Sequence, residues 1–376
     1  MRPCGRIFSS CIPIGLWSGF LRVHEREMRS FHVRGQALRR ALRTEGKPMA
    51  KNADLNGAKN AKKDEFYTQL VDIENEVKHY RRHFRGATVL CNCDDPECSN
   101  FYFYFRDNFE FLGLKKLIST CYRNQDWFQF SEGKDEKAVC CIYTGKASPP
   151  ERRILEQGGS FRSEECIAFL KEADIVCTNP PFSKFRDFIS LLMRHHKKFL
   201  VIGHQNAITY REIFPCVMRN EIWLGYGFKG GAGYFINKHY TDYAKAGDHR
   251  EGMIRVSGVH WFTNLEHDKR HEDIPLYRHY TPEDFPKYDN YDAINVGKTS
   301  EIPCDYDGVM GVPITFMDKY SPDQFEIVGA SESEGKGFSQ GLWDEASGVA
   351  QPLVCGEKTY KRLFIRRRRK DSRVEM

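Results

Sequence analysis

The sequence predicts an α/β protein built on an open, doubly wound and mostly parallel sheet. Short apolar runs recur between residues 87 and 203, stretches of helical length separate them, and the two corners richest in polar chemistry come directly after apolar runs. Strands that alternate with helices pair in parallel and carry helices on both faces, and such sheets hold ligands beyond the carboxyl ends of their strands.

Taken in order, Phe66, Leu70, Ile73, Val77 and Tyr80 are spaced four, three, four and three residues apart, which predicts one helix over 66–83. Residues 87–93 read as a buried strand that empties into the turn Asp94-Asp95-Pro96, with a helix resuming near Ser99. Further strands are expected at 117–121, 139–143, 174–178 and 198–203. Phe185, Phe188, Ile189 and Leu192 mark an amphipathic helix between the last two. Beyond residue 220 the pattern changes: 221–227 and 253–262 read as strands, and 265–360, rich in Pro, Gly, Tyr and Asp, reads as a mixed, loop-rich region.

Composition narrows the class. Of 376 residues 40% are hydrophobic and 29% charged, with 27 Phe and 18 Tyr, which excludes disorder as the main state. No run of about 18 apolar residues occurs, so no membrane-spanning helix is expected. The net charge of +6 sits at the ends: residues 1–48 carry ten Lys/Arg against three Asp/Glu, and 357–376 carry nine against three, leaving about −7 for 49–356. Contact with a polyanion must therefore be local, through a groove or a basic arm such as Arg366–Lys370, although such a charge block also reads as a solvated tail. Thirteen cysteines without even spacing, several inside apolar runs, suit a reducing cytoplasm. Cys91, Cys93 and Cys98 lack a second ligand pair at zinc spacing, so no metal is expected.

Residues 1–48 differ in character from the rest of the chain. Two arginines precede a short apolar stretch, Cys11–Leu21, that Pro13, Gly15 and Gly19 interrupt, and no small-residue cleavage pattern comes after it. Met49 is the expected native start, with 1–48 a disordered or non-native extension.

The most informative residues are Thr178-Asn179-Pro180-Pro181-Phe182, directly after an apolar run. As a plain turn they would only redirect the chain. As a site, they make a stiff corner that offers the Asn179 amide oxygen, the Pro180 carbonyl and the Phe182 ring to one planar amine. Adenine's exocyclic amine is a poor nucleophile because its lone pair is delocalised into the ring. Two acceptors, one for each of its hydrogens, would bias the nitrogen towards tetrahedral geometry and free that pair, and the ring would stack on the base.

The chain resembles the EcoRI-type family of adenine-specific DNA methyltransferases over most of 59–365. The resemblance rests on Ala61–Gln69, Thr88–Pro96, Phe161–Cys166, Ala173–Ser183, Gln205–Thr209 and Trp261–Leu265. It implies S-adenosylmethionine as methyl donor, a seven-stranded methyltransferase sheet, duplex DNA as substrate, and target recognition C-terminal to the catalytic motif. The domains expected on that basis are a catalytic region at 59–265, a target-recognition region at 266–360 and a basic tail at 361–376. By the same resemblance Phe66, Tyr67 and Thr68 close over the methionine end of the cofactor. Asp94 and Asp95 receive its ammonium directly or through water, and Asn179, Pro180 and Phe182 are catalytic. The chain departs from the usual pattern in having Asp94-Asp95-Pro96 in place of a glycine-rich loop. Its second strand ends at Thr120-Cys121-Tyr122 without an acid. Gln157-Gly158-Gly159-Ser160 stands where an acid would face the cofactor's adenine, leaving Ser160 as the acceptor.

The expected reaction is in-line methyl transfer to an adenine flipped out of the duplex, without a covalent enzyme intermediate or a metal. Rival readings are an acceptor of another kind, RNA adenine or protein glutamine, and a catalytically silent DNA-binding relic. A restriction endonuclease encoded nearby is an expected partner, and the chain is expected as a cytoplasmic monomer or weak dimer.

Overall fold

The computed structural model describes residues 67–122, 138–236, 253–331 and 351–368; Phe66, Met49 and the extension 1–48 lie outside them. The first strands are β1 (Tyr67–Thr68), β2 (Thr88–Cys91), β3 (Lys116–Thr120), β4 (Val139–Tyr143), β5 (Glu151–Ile154) and β6 (Ile175–Thr178). After them come β7 (Lys198–His204), β8 (Trp223–Leu224), β9 (Ala232–Ile236), β10 (Ile254–Ser257) and β11 (Val259–Thr263). The C-terminal part holds β12 (Ile294–Asn295), β13 (Met310–Pro313), β14 (Phe325–Ala330), β15 (Leu353–Val354), β16 (Glu357–Lys358) and β17 (Arg362–Arg367). The longer helices are α1 (Leu70–Val77), α2 (Asn100–Asp107), α3 (Glu164–Glu172) and α4 (Phe185–Arg194).

The central sheet has eight strands in the order β5-β4-β3-β2-β6-β7-β11-β8. Its middle four, β3, β2, β6 and β7, pair in parallel. Apolar runs without polar alternation, such as Val89-Leu90-Cys91 and Ile175-Val176-Cys177, are buried on both sides, which is the condition for such a sheet. Successive residues of these strands face opposite layers. Val89, Ile175, Leu200 and Ile202 pack with Ile73, Val77, Phe101 and Phe105 of α1 and α2. Leu90, Val176, Phe199 and Val201 pack with Cys166 and Leu170 of α3 and Phe188 and Leu192 of α4.

Several expectations are corrected. The helix read over 66–83 divides into β1, α1, a 3-10 turn at Lys78–Tyr80 and a short helix Arg81–Phe84. Its stripe holds at Ile73, Val77 and Tyr80, all fully buried, but Leu70 is exposed because Tyr67 and Thr68 pair antiparallel with β9 and only then does the helix begin. The sheet is parallel only at its centre. β4 runs antiparallel to β3 and to β5, and β11 runs antiparallel to β7 and β8. The single strand read over 253–262 is two strands in different sheets, broken at Gly258 (φ +70°). A Cβ there would come within 2.9 Å of the Gln205 side chain, so the turn needs glycine. The strand read over 221–227 covers only Trp223–Leu224, because Tyr226 and Gly227 turn their N–H groups to Glu76.

The C-terminal part forms a second sheet, β12-β13-β17-β14. Its inward residues Ile294, Val312, Phe316, Phe325, Leu363 and Ile365 join the same core as one face of the central sheet. The reading of a basic tail from 361 is therefore overturned for 362–367. Leu363-Phe364-Ile365 is fully buried, Arg366 pairs with Glu326, and Arg368 donates to the Phe325 carbonyl. Arg369 and Lys370 lie outside the described residues. No described helix is long and apolar enough to cross a membrane.

Glu76 fastens α1 to the sheet's far edge. Its carboxylate, 1% exposed, accepts the Tyr80 hydroxyl (2.9 Å) and the N–H groups of Tyr226 (2.8 Å) and Gly227 (2.9 Å). Burial raises its pKa above the ordinary value, and the donors and Lys269 oppose that rise. Glu76→Ala strands the buried Tyr80 hydroxyl and two half-buried N–H groups and should lower the unfolding free energy by about 3 kcal/mol. Urea unfolding would show this as a lower midpoint with an unchanged slope.

Candidate active site

The strand order reverses between β2 and β6, the place where an open α/β sheet leaves a crevice at its carboxyl edge. Asp94 lies three residues beyond β2 and is 7% exposed. Its N–H donates to the Thr120 carbonyl (3.1 Å) and its carbonyl accepts the Ser119 hydroxyl (2.6 Å), which ties the exit of β2 to β3. The two carboxyl oxygens each take a hydroxyl, Oδ1 from Ser99 (2.6 Å) and Oδ2 from Thr178 (2.5 Å). Thr178 is the last residue of β6, so one side chain joins the ends of both strands. Burial pushes the Asp94 carboxyl up to about 7; the two hydroxyls pull the other way, and Asp95 adds to the rise.

Asp95 has a different place from its neighbour. Its Oδ1 accepts the Glu97 N–H (2.9 Å) and its carbonyl accepts those of Cys98 and Ser99, so it shapes the turn from β2 into α2. Ser99 caps α2 by accepting the Phe101 N–H (3.1 Å) while its own proton goes to Asp94. Asn92, between β2 and this turn, is 1% exposed, and neither polar atom of its amide has a partner among the described residues.

The Asn179 corner comes next in the chain. Asn179 is half-buried, Pro180 buried, and Pro181 and Phe182 half-buried. The Lys184 N–H donates to the Pro181 carbonyl (2.9 Å), and a 3-10 turn from Phe182 leads into α4. Asn179 Nδ2 donates to Thr68 Oγ1 (3.2 Å), and Asn100 Nδ2 donates to the Thr68 carbonyl (2.7 Å). Tyr67 and Thr68 are thus brought to the corner by β1, which the long-range pairing with β9 holds in place. The Phe182 ring packs at the margin of the core shared by α1, α2 and the sheet.

Ser160 sits in the loop that leads to α3. Gly158 (φ +71°) and Gly159 (φ +69°) let this loop lie on the exit of β3; a Cβ on Gly159 would fall 2.0 Å from the Cys121 carbonyl oxygen. The Ser160 hydroxyl accepts the Arg162 N–H (3.3 Å), and its carbonyl accepts that of Ser163 (2.8 Å). Cys91, Cys93 and Cys98 form no metal-ligating group among the described residues.

Hydrogen bonds thus join Asp94 to Thr178 and Asn179 to Thr68 at the carboxyl edge of the sheet, whereas Asp95 serves the turn into α2. Asn100 and Asn92 were not singled out from the sequence, and Thr178, Ser99 and Gly159 were named there only as parts of the corner, the helix start and the loop, without these contacts. Asn92 had a signal, a polar residue inside an apolar run, and Ser99 had another, a hydroxyl directly before a helix.

Residues 54–368 match the family described as adenine-specific methyltransferase EcoRI. The chain belongs to that family. It is similar to the Type II methyltransferase M.EcoRI of Escherichia coli, 46% identical over 298 residues that cover 74% of this chain and 90% of the relative. It is also similar to the Type II methyltransferase M.MgeORF184P of Mycoplasma genitalium, 39% identical over 284 residues, 73% of this chain and 85% of the relative. M.MpnI of Mycoplasma pneumoniae, a third Type II methyltransferase, is 38% identical over 284 residues, 73% and 84% of the two chains. No solved structure matches the chain.

A raised carboxyl makes stability depend on pH with a definite sign. The unfolded chain releases the Asp94 proton near 3.8, whereas the folded chain holds it to about 7. The Asp94 contribution is therefore full below about pH 4 and falls as pH rises to 7, by at most about 1.4 kcal/mol per unit. In Asp94→Asn that decline should be absent, and urea unfolding from pH 4 to 8 would reveal it as a flatter profile than wild type.

Proposed function

We infer that the chain transfers the methyl group of S-adenosylmethionine to the exocyclic amine of adenine at specific sites in duplex DNA. The single observation that carries this reading is the Asp94 to Thr178 bridge. It puts an acid suited to a cationic cofactor directly beside a corner suited to a planar amine, in a chain of the adenine-specific family.

The donor side fits S-adenosylmethionine. An ionised carboxylate has about four lone-pair directions, and Ser99 and Thr178 use two, so Asp94 retains capacity for an ammonium directly or through water. Asn92 supports the fit, because a buried amide without partners is the kind of group that a ligand or an ordered water satisfies. Phe66, Tyr67 and Thr68 would cover the methionine end, Asp95 would add negative potential, and Ser160 would meet the cofactor's adenine. When bound, the cofactor supplies an electrophilic methyl on a sulfonium.

The acceptor side is the Asn179 corner. Thr68 accepts from the amide nitrogen, and the Asn179 oxygen would accept one hydrogen of a base amine. The Pro180 carbonyl would take the second hydrogen and Phe182 would stack on a flipped adenine, offsetting the few kcal/mol that flipping costs. As the amine attacks, positive charge develops on it, and the same two oxygens stabilise that charge. Target readout is assigned to 266–360. Directly after that region, the Lys361 ammonium donates to Thr209 Oγ1 (3.2 Å) in the turn after β7, which supports its packing against the central sheet.

Two measurements test this. Asn179→Ala should lower kcat by about 10²–10³ with DNA affinity retained. Labelled methyl groups offered with duplex DNA, RNA or a glutamine peptide should enter only the DNA, and wild-type turnover in the variant would refute the assignment. Because a cationic ligand favours ionised Asp94, cofactor affinity should rise about tenfold per pH unit below 7 and level off above it. Calorimetry from pH 5.5 to 8.5 reads this directly, and Asp94→Asn should abolish the dependence.

A further inference from the structure

A second cluster of reactive side chains lies apart from the crevice residues, in the connection between β11 and β13. His279, Cys304 and Asp305 each turn a donor atom towards the others, and all three donors lie within 4.8 Å of one another. His279 Nδ1 is 2.9 Å from Asp305 Oδ2 and 3.7 Å from Cys304 Sγ. The sulfur and the carboxylate thus converge on the same ring nitrogen. A nucleophile relay would place them on opposite nitrogens of the imidazole, with the acid behind the base. Convergence on one point is the arrangement of ligands around an ion.

The backbone holds the donors together independently of any ion. Arg278 and Pro303 form a parallel bridge, the Cys304 N–H donates to the Arg278 carbonyl (2.8 Å), and the Tyr280 N–H donates to Asp305 Oδ1 (2.8 Å). The two short segments are therefore pinned on both sides of the cluster. Donors around a tetrahedral zinc ion stand roughly 3.3–3.6 Å apart, from bond lengths of about 2.0–2.3 Å. The observed 2.9 and 3.7 Å need shifts of only a few tenths of an ångström, and the sulfur and carboxylate, within 4.8 Å of each other, need to close by at most about 1.2 Å.

We propose that His279, Cys304 and Asp305 form a binding site for a divalent transition-metal ion of the zinc class. Thiolate, imidazole and carboxylate are together a donor set for borderline-soft ions and a poor one for magnesium. On binding, the Cys304 thiol releases its proton to solvent, the ion takes the place of any proton between Nδ1 and the carboxylate, and the imidazole proton resides on Nε2. Nε2 is free to carry it because His279 is largely exposed. The fourth position faces water. The ion staples segment 278–280 to segment 303–305. The cluster was silent in the sequence because His279 stands 25 residues from Cys304.

The test is titration of the metal-stripped full chain with Co²⁺ and Zn²⁺, with Mg²⁺ as control. One equivalent of Co²⁺ should bind with a thiolate-to-metal charge-transfer absorption, Zn²⁺ should displace it, and Mg²⁺ should not. Cys304→Ser should lose the absorption, and His279→Ala and Asp305→Asn should each weaken binding at least about tenfold. Cys98→Ser and Cys355→Ser should bind as wild type does. An unchanged melting temperature of metal-free Cys304→Ser shows that the variant folds, and Asp305→Asn, nearly isosteric, gives a second reading if it does not. Absence of Co²⁺ binding, or the same absorption in Cys304→Ser, overturns the proposal.

Discussion

Asp94 lies under the mouth formed by the ends of β2 and β6, and its carboxyl oxygens hold one hydroxyl from each side, Ser99 at the start of α2 and Thr178 at the end of β6. Parallel pairing sets the two strands side by side, but their exits diverge, one into a helix and the other into a proline corner. The carboxyl fixes how far apart those exits stand. Burial makes the group costly to ionise, so a cationic ligand beside it gains more than it would at a solvated acid. Among the described residues no cation pairs with this carboxyl, and a buried acid so placed is the kind of group that binding sites use.

Around that bridge each neighbouring contact has a positional consequence. Thr68 accepts from Asn179 and, through its carbonyl, from Asn100, so the small sheet of β1, β9 and β10 becomes a wall of the crevice. Gly158 and Gly159 bring the loop before α3 onto the exit of β3, where the Gly159 backbone lies against the Cys121 carbonyl. Behind the crevice the two layers of helices leave the central strands no freedom to slip, because a one-residue shift would exchange the faces of Val89 and Leu90.

The four parallel strands were legible because each is a short apolar run buried on both faces. The corner at Asn179 was legible because two prolines and an amide after such a run are chemically conspicuous. β5 was invisible: it is an exposed edge whose Glu151-Arg152-Arg153-Ile154 carries no apolar pattern. β17 was hidden by its arginines, which mask three fully buried residues. β1 depends on a partner more than 160 residues away, and local periodicity favoured a helix over it. Ser99 was legible only as the start of a helix and Thr178 only as the head of the corner; that both hydroxyls meet on Asp94, 84 residues before Thr178, had no local signal.

In the proposed function one buried acid, Asp94, joins a donor pocket to an acceptor corner. The most direct test is a crystal structure of the chain with a non-reactive cofactor analogue and a duplex containing its methylation site. The account predicts the analogue's ammonium on Asp94 or one water away, and the flipped adenine's amine within about 2.7–3.2 Å of Asn179 Oδ1 and the Pro180 carbonyl. An analogue bound elsewhere, or an adenine amine held by other groups while Asn179 stays on Thr68 and faces away, would contradict it.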